Sequence, residues 1–228
     1  MPRSSTRHAS GATLTVAAGR APTTTRDVTL GVAIRRQHGL VTARQLRDHG
    51  LGPEEIERLR SRHTLTRLHP DLYRTAMACD DFETACAAPC LAHPIGAIGG
   101  PSAAALWDFD HLYRPFRPEF LVPDPIPAAQ RLRRITYRPT PTLCALDVVE
   151  RSDGMRVLDR AATWFDCVGE LGPLDAASFT HHVLDVHCDP DELWAVVDRW
   201  EAGRRRRSPG RSHRLLVAAG AKRSRRAA

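Results

Sequence analysis

The 228-residue sequence predicts an α+β protein, in which a small N-terminal helical unit precedes a mixed α/β domain with an antiparallel sheet and C-terminal helices. Three observations favour this fold class. Apolar residues recur at helical spacing before residue 63. Short β-favouring segments bounded by Pro, Gly and Asp follow between residues 65 and 158. Helical segments with Asp or Pro start signals then run from residue 159 to about residue 203.

The N-terminal unit opens with two helices. Leu30 and Ile34 recur at helical spacing, and Gly39 ends the first helix. Thr42 and Gln45 have the spacing of a capping box, in which the Thr hydroxyl accepts from a backbone amide and the Gln side chain reaches back. The second helix is therefore expected to start after Thr42.

A third helix follows a short break. Gly50 can take the left-handed conformation that closes the second helix, and Pro53 suits the first turn of the next one. The inward face of the third helix is expected to be Ile56, Leu59 and His63. Its outward face then consists of Glu54, Glu57, Arg58 and Ser61, with Arg62 at the flank.

A β-hairpin, called the wing, completes the N-terminal unit. Residues 65–68 and 72–74 are the predicted strands, with a turn at residues 69–71. Three helices followed by a hairpin is the order of a winged helix-turn-helix, a fold that places a recognition helix in the major groove of DNA. The sequence therefore predicts a DNA-binding module that contacts double-stranded DNA.

The candidate DNA-binding residues follow from this arrangement. Arg58 is the first candidate for a base contact, since Arg reads guanine O6 and N7 with two hydrogen bonds. Ser61 and Arg62 come next, and Glu57 can accept from a cytosine amino group. Phosphate contacts are expected from Thr42, Arg44 and Arg47 on the second helix and from Arg67 and Arg74 on the wing. In the alternative interpretation, Glu54 and Arg58 form an i, i+4 pair on a solvated face, and the module docks a partner protein.

Charge is distributed unevenly along the chain. Residues 1–25 carry +3, residues 26–74 carry +4, residues 75–202 carry −10 and residues 203–228 carry +10. Basic ends favour a polyanionic partner. The acidic middle opposes DNA and is expected to support homodimerisation or contact with a partner protein. We predict four regions: a disordered tail (1–25), a winged helix-turn-helix (26–76), an α/β domain (77–203) and a basic disordered tail (204–228).

Other classes of protein find little support in the sequence. No apolar run approaches the roughly 18 residues that cross a bilayer, so a cytoplasmic protein with no membrane partner is expected. The six cysteines contain no C-x-x-C pair and are interpreted as reduced and structural. His181 and Asp185 share a helix face without the third ligand that a metal site needs, so no metal and no cofactor are predicted.

An enzymatic role is likewise not predicted, because the sequence contains no catalytic array. It has no G-x-S-x-G, and the glycines at 96–100 lack the Lys of a P-loop. The remaining enzymatic alternative is a metal-dependent nuclease remnant. Its candidate acids are Asp108, Asp110, Asp159 and Asp166.

Several local patterns together resemble one family. They are QHGLVT at 37–42, Gln45-Leu46, Gly50-Leu51, Ile56, the segment from Leu65 to Tyr73, SAAALW at 102–107, and the segment from Gly154 to Thr163 and Asp166. Because of these patterns, the segment of residues 30–200 resembles AbiEi-like (type IV) antitoxins and related actinobacterial regulators. The resemblance implies a transcriptional repressor that autoregulates its operon. It also implies a nucleotidyltransferase-like toxin that the protein counters without forming a stable complex.

The sequence departs from the family pattern at several positions. Pro53, Glu54 and Glu55 stand where the third helix usually opens with basic residues, and His63 replaces a Gly before the hairpin. Asp71 replaces a hairpin Gly, and Ala162 replaces an Arg beside Thr163. Many relatives also carry a C-terminal endonuclease-like domain that would begin where this chain ends. Nuclease activity is therefore not expected from the resemblance.

Overall fold

The computed structural model describes residues 25–110, 112, 115–141, 143, 147–203 and 210–222. It confirms the α+β class, with an N-terminal helical unit followed by a mixed α/β domain. The predicted N-terminal tail lies outside the described residues up to residue 24. Among the helices that are described, none has the length and apolar composition needed to span a bilayer.

The N-terminal unit has the complete set of winged-helix elements. Helix α1 spans Thr25–Arg36, α2 spans Ala43–Asp48 and α3 spans Pro53–Ser61. The strands are β1 (Leu40–Thr42), β2 (Leu65–His69) and β3 (Leu72–Thr75), and they form an antiparallel sheet in the order β1-β3-β2. The three predicted helices and the hairpin are confirmed. Strand β1 was not predicted, because three residues are too few to display an alternating pattern.

Local signals explain where α2 and α3 begin. The Thr42 hydroxyl accepts from the Gln45 amide at 3.1 Å, and the Gln45 side chain accepts from the Thr42 amide at 2.9 Å, so the predicted capping box is present. Pro53 occupies the first turn of α3, where its missing N–H costs nothing. The inward placement of His63 was wrong. Because α3 ends at Ser61, His63 lies beyond the helix, exposed and with φ at +57°.

The two faces of the winged-helix sheet pack in two different hydrophobic cores. Val41 and Tyr73 face the helices and pack with residues such as Ile56 in a small N-terminal core. Leu40 and Leu72 point to the opposite face, as the alternation of a strand requires, and both are fully buried in the core of the second domain. The helix α4 (Phe82–Ala92) covers that face.

The second domain is built on a five-stranded sheet. Its strands are β4 (Ala97–Ile98), β5 (Glu119–Val122), β6 (Thr136–Pro139), β7 (Val148–Glu150) and β8 (Arg156–Leu158), and they lie in the order β6-β5-β4-β8-β7. Besides α4, its helices include α5 (Gly100–Leu106), α6 (Arg160–Val168), α7 (Pro173–Val186) and α8 (Pro190–Gly203). The predicted antiparallel pairing holds for β4 with β5 and for β7 with β8. However, β4 with β8 and β5 with β6 pair parallel, so the sheet is mixed. Parallel partners are joined by long connections that carry no local turn signal.

A further helix corrects the expectation of a disordered basic tail over 204–228. Helix α9 spans Arg211–Ala218, and its Leu216 is fully buried in the core of the second domain. The Trp194 indole donates to the Ala221 carbonyl at 3.2 Å and so fixes the end of this segment. The strongly basic composition concealed the inward face of this helix, on which Ser212 and Leu216 lie one turn apart and are buried. Residues 204–209 and 223–228 lie outside the described residues.

Candidate nucleic-acid interface

The outward face of α3 carries the predicted base-reading residues. Ile56 is buried against the small N-terminal core and fixes the rotation of the helix about its axis. The residues predicted to face outward are exposed, namely Glu54, Glu57, Arg58, Ser61 and Arg62. The Ser61 hydroxyl donates to the Glu57 carbonyl at 3.0 Å, one turn back on the same helix. The structure thus brings four of the predicted contact residues together on one exposed face.

Ion pairs within α3 partly neutralise this face. The Arg58 guanidinium lies 3.8 Å from Glu55 Oε1, so Arg58 pairs three residues back and not with Glu54 as the alternative interpretation expected. Arg60, which sequence reasoning did not select, lies 3.1 Å from Glu57 Oε1. Exposed pairs of this kind contribute about 0–1 kcal/mol, so each arginine can exchange its carboxylate for another partner at little cost.

Arg62, at the end of α3, is exposed and makes no ion pair with another residue in the described part of the chain. It follows the last residue of the helix as its C-cap. Its guanidinium is therefore the least engaged cation of the third helix.

The α2 candidates differ in how free their side chains are. Thr42 is half-buried, and its hydroxyl is engaged in the capping box. Arg44 is 87% exposed and lies 3.7 Å from Asp48 Oδ2. Arg47 is exposed and forms no ion pair with any described residue. Arg44 and Arg47 are thus available cations next to α3, whereas Thr42 has a structural role as a helix cap.

The two wing candidates point to different places. Arg67 is exposed and bends toward the wing tip, where it donates to the carbonyls of His69 and Pro70 at 3.4 Å and 3.3 Å. Arg74 lies two residues from Leu72 and therefore on the sheet face that α4 covers. Its guanidinium donates to the Ala78 carbonyl at 3.2 Å and lies 3.5 Å from Asp80 Oδ1. Arg74 is thus separated from the surface that the other candidates share.

The winged helix is also held against the second domain by its α1–β1 turn. The Arg36 side chain donates to the Ser152 carbonyl at 2.6 Å. The His38 imidazole lies 3.4 Å from Asp153 Oδ2, which Arg151 also contacts at 3.3 Å. These contacts fix the entry to β1 on the β7–β8 hairpin.

The wing tip makes a second contact with the second domain. The ring of His69 lies 5.3 Å from that of His93 in an edge-on arrangement. Burial lowers the pKa of His93, and the nearby His69 lowers it further. The neutral form of His93 is therefore the one that fits this junction.

Two of the four acids considered for a nuclease, Asp166 and Asp159, are engaged in structural contacts. Asp166 accepts from the Gly100 amide at 2.9 Å and forms an ion pair with Arg138. Burial raises the pKa of Glu119, which is the second carboxylate partner of Arg138. Asp159 caps α6 by accepting from the Ala162 amide at 2.7 Å. Within the described ranges, no three His, Cys, Asp or Glu side chains are grouped so as to hold a metal ion.

The fold and the exposed third helix define a winged helix-turn-helix protein with an attached α/β domain. Residues 33–76 match the family model described as the transcriptional regulator AbiEi antitoxin, which confirms the resemblance for the winged helix. This part of the chain is thus similar to a transcriptional-regulator domain of the antitoxin type.

The sequence and fold were also compared with solved structures and curated proteins. The crystal structure of the RV2827C protein from Mycobacterium tuberculosis is 14% identical in sequence, with a TM-score of 0.40. The alignment covers 86% of this chain and 80% of that chain. None of the curated proteins that were compared matches the sequence.

Proposed function

We propose that the protein is a cytoplasmic, DNA-binding transcriptional repressor of the antitoxin type that represses its own operon. The observation that carries the proposal is the exposed face of α3 in a complete winged helix. Arg58 and Arg62 lie on this face, and Arg44 and Arg47 on α2 are also exposed. This is the arrangement in which a recognition helix reads bases while the neighbouring elements hold phosphates.

The specific contact is assigned to Arg58. To reach a guanine, its side chain leaves Glu55, an exposed partner 3.8 Å away that holds it weakly. A bidentate contact to O6 and N7 discriminates against other bases by about 1–3 kcal/mol. Arg62 and Ser61 lie at the same end of the helix and extend the reading surface. Glu57 provides an acceptor for a cytosine amino group.

The acidic residues of α3 reduce the electrostatic attraction of this helix for DNA. Glu55 and Glu57 offset Arg58 and Arg60, so the third helix contributes little net attraction for phosphates. Nonspecific affinity then depends on cations outside α3, such as Arg44 and Arg47. The reading helix discriminates between sequences mainly through its hydrogen bonds.

We propose that the second domain holds two copies of the protein together. Its net charge of −10 over residues 75–202 makes it a poor surface for wrapping DNA. We assign it to homodimerisation, which would place two copies of α3 on successive half-sites. Relief of a nucleotidyltransferase-like toxin, without a stable complex, is part of the same proposal and rests on the family resemblance.

A second candidate function is favoured by one observation. The intrahelical pairs Arg58–Glu55 and Arg60–Glu57 leave α3 with alternating charges, a surface that also suits the docking of another protein. In this case the winged helix would bind a protein partner such as a toxin. Binding of this kind would depend much less on salt than binding to DNA.

The experiment compares the purified protein on its own upstream region and on unrelated DNA of equal length, by fluorescence anisotropy at two salt concentrations. We expect preference for the upstream DNA. The Arg58→Ala variant should lose about 5- to 150-fold in affinity for that DNA, corresponding to one bidentate base contact. Arg160→Ala, which removes an exposed arginine from the acidic second domain, is the matched control and should bind like the wild type.

Equal binding to the two DNAs, unaffected by Arg58→Ala, would contradict the proposal. The remaining affinity would then come from general electrostatic attraction. Salt-tolerant capture of a co-expressed toxin by the same preparation would favour the protein-docking function.

A further inference from the structure

The loop before β6 concentrates positive charge in an acidic domain. Residues 125–146 contain four arginines and no acid, although residues 75–202 as a whole contain 10 arginines and 20 acids. Arg138 is paired with two carboxylates inside the domain. The other three arginines lie together in the loop and are all exposed: Arg131, Arg133 and Arg134.

The loop is anchored, so its arginines are presented from a fixed base. Leu132 is buried in the core of the domain, and its amide donates to the Tyr137 hydroxyl at 3.1 Å. The Arg131 side chain donates to the Ile126 carbonyl at 2.8 Å. By contrast, Arg133 and Arg134 make no ion pair with any residue that the structure describes. Their guanidinium groups extend into solvent.

Three successive contacts join this loop to the tip of the wing. The ring of His69, at the end of β2, lies 5.3 Å from the ring of His93. The ring of His93 lies 5.7 Å from that of Tyr137. The Arg131 guanidinium in turn lies 5.8 Å from the centre of the Tyr137 ring. The basic loop therefore sits next to the wing, on the second domain.

We infer that Arg133 and Arg134 contact the DNA phosphates beside the segment read by α3, and so extend the interface onto the second domain. The inference rests on the proposed function. Phosphate contacts beside a recognition helix set the register of the protein on the duplex. Here Arg74 of the wing is turned toward the Ala78 carbonyl and Asp80, which leaves the wing with Arg67 alone among its arginines facing solvent. The loop supplies two guanidinium groups, which bind phosphate with paired hydrogen bonds.

The test uses the full chain and the double variant Arg133→Ala/Arg134→Ala, with salt titrations on the upstream DNA. Each lost phosphate contact reduces the slope of log affinity against log salt by about 0.9. Two contacts make the wild-type affinity fall about 12-fold more than that of the variant between 50 and 200 mM salt. The control Arg160→Ala also removes an exposed arginine of the second domain and should keep the wild-type slope.

The outcomes separate this inference from the proposed function. We expect the loop variant to keep the wild-type preference for upstream over unrelated DNA, because phosphate contacts carry no sequence information. Equal slopes for the loop variant and the wild type would overturn the inference and leave the proposed function standing. A wild-type protein without preference for upstream DNA would overturn the proposed function itself, whatever the slopes. If the wild type binds no DNA, both proposals fall.

Discussion

Leu72 connects the winged helix to the second domain, and its truncation is predicted to destabilise both units. The side chain lies in β3 of the winged helix, yet it is fully buried in the core of the second domain together with Leu40. Leu72→Ala leaves a cavity there. Substitutions of this kind cost about 3 kcal/mol. For a protein of this length the melting temperature should then fall by about 6–12 °C.

The assay exploits where the tryptophans lie. All four belong to the second domain, at positions 107, 164, 194 and 200. Thermal unfolding followed by tryptophan fluorescence therefore reports on the second domain, whereas far-ultraviolet circular dichroism reports on the whole chain. A shared core predicts that Leu72→Ala lowers the midpoint equally by both probes. The control Leu68→Ala removes an exposed side chain from the same hairpin and should change the midpoint little.

One result would refute the reasoning directly. If Leu72→Ala left the fluorescence transition unchanged and produced a separate, earlier transition by circular dichroism, the winged helix would unfold on its own. The division at residues 76 and 77 would then separate two independent cores. A single displaced transition supports one cooperative unit.

Three further predictions concern charge, pH and backbone conformation. Glu57→Gln removes a negative charge next to Arg60 and should raise the affinity for unrelated DNA by about fivefold at low salt. In anisotropy titrations, an unchanged affinity would place this face away from DNA. Because the pKa of His93 is lowered from 6.5 in the folded state, its contribution to stability is complete above pH 6.5 and is lost as the pH falls below it. Urea unfolding between pH 7 and pH 5 should therefore show a smaller loss of stability for His93→Phe than for the wild type, and identical losses would contradict the lowered pKa of His93. Finally, His63→Gly should raise the free energy of unfolding by about 1 kcal/mol, since φ is +57° there and a side chain is disfavoured, whereas His63→Ala should give no gain.

The elements that were predicted correctly are those with local signals. The capping box of Thr42 and Gln45 is complete within four residues, so it fixes the start of α2 without help from the rest of the chain. Strand β4 has two residues and β1 has three, and neither displays a period. The parallel pairing of β4 with β8 depends on packing between distant segments and has no local signature.

In the candidate interface, too, the positions that depend on local spacing were predicted, and those that depend on long-range contacts were not. Helical periodicity places Arg58 and Ser61 outward once Ile56 is inward, and the structure agrees. Arg60 was missed because it lies one turn after Ile56 and so by spacing appears to face inward, although its side chain is 42% exposed. The orientation of Arg74 follows from α4 covering its face of the sheet, which is a long-range contact that the hairpin sequence does not encode.

The most direct test of the central claim is methylation interference on the upstream DNA. If Arg58 reads a guanine in the major groove, methylation of that guanine at N7 should block binding of the wild-type protein. The same methylation should have much less effect on Arg58→Ala, which has no side chain to reach that atom. We predict that the variant loses interference at one guanine position in each half-site. An interference pattern that is the same for both proteins, or that involves no guanine, would contradict it.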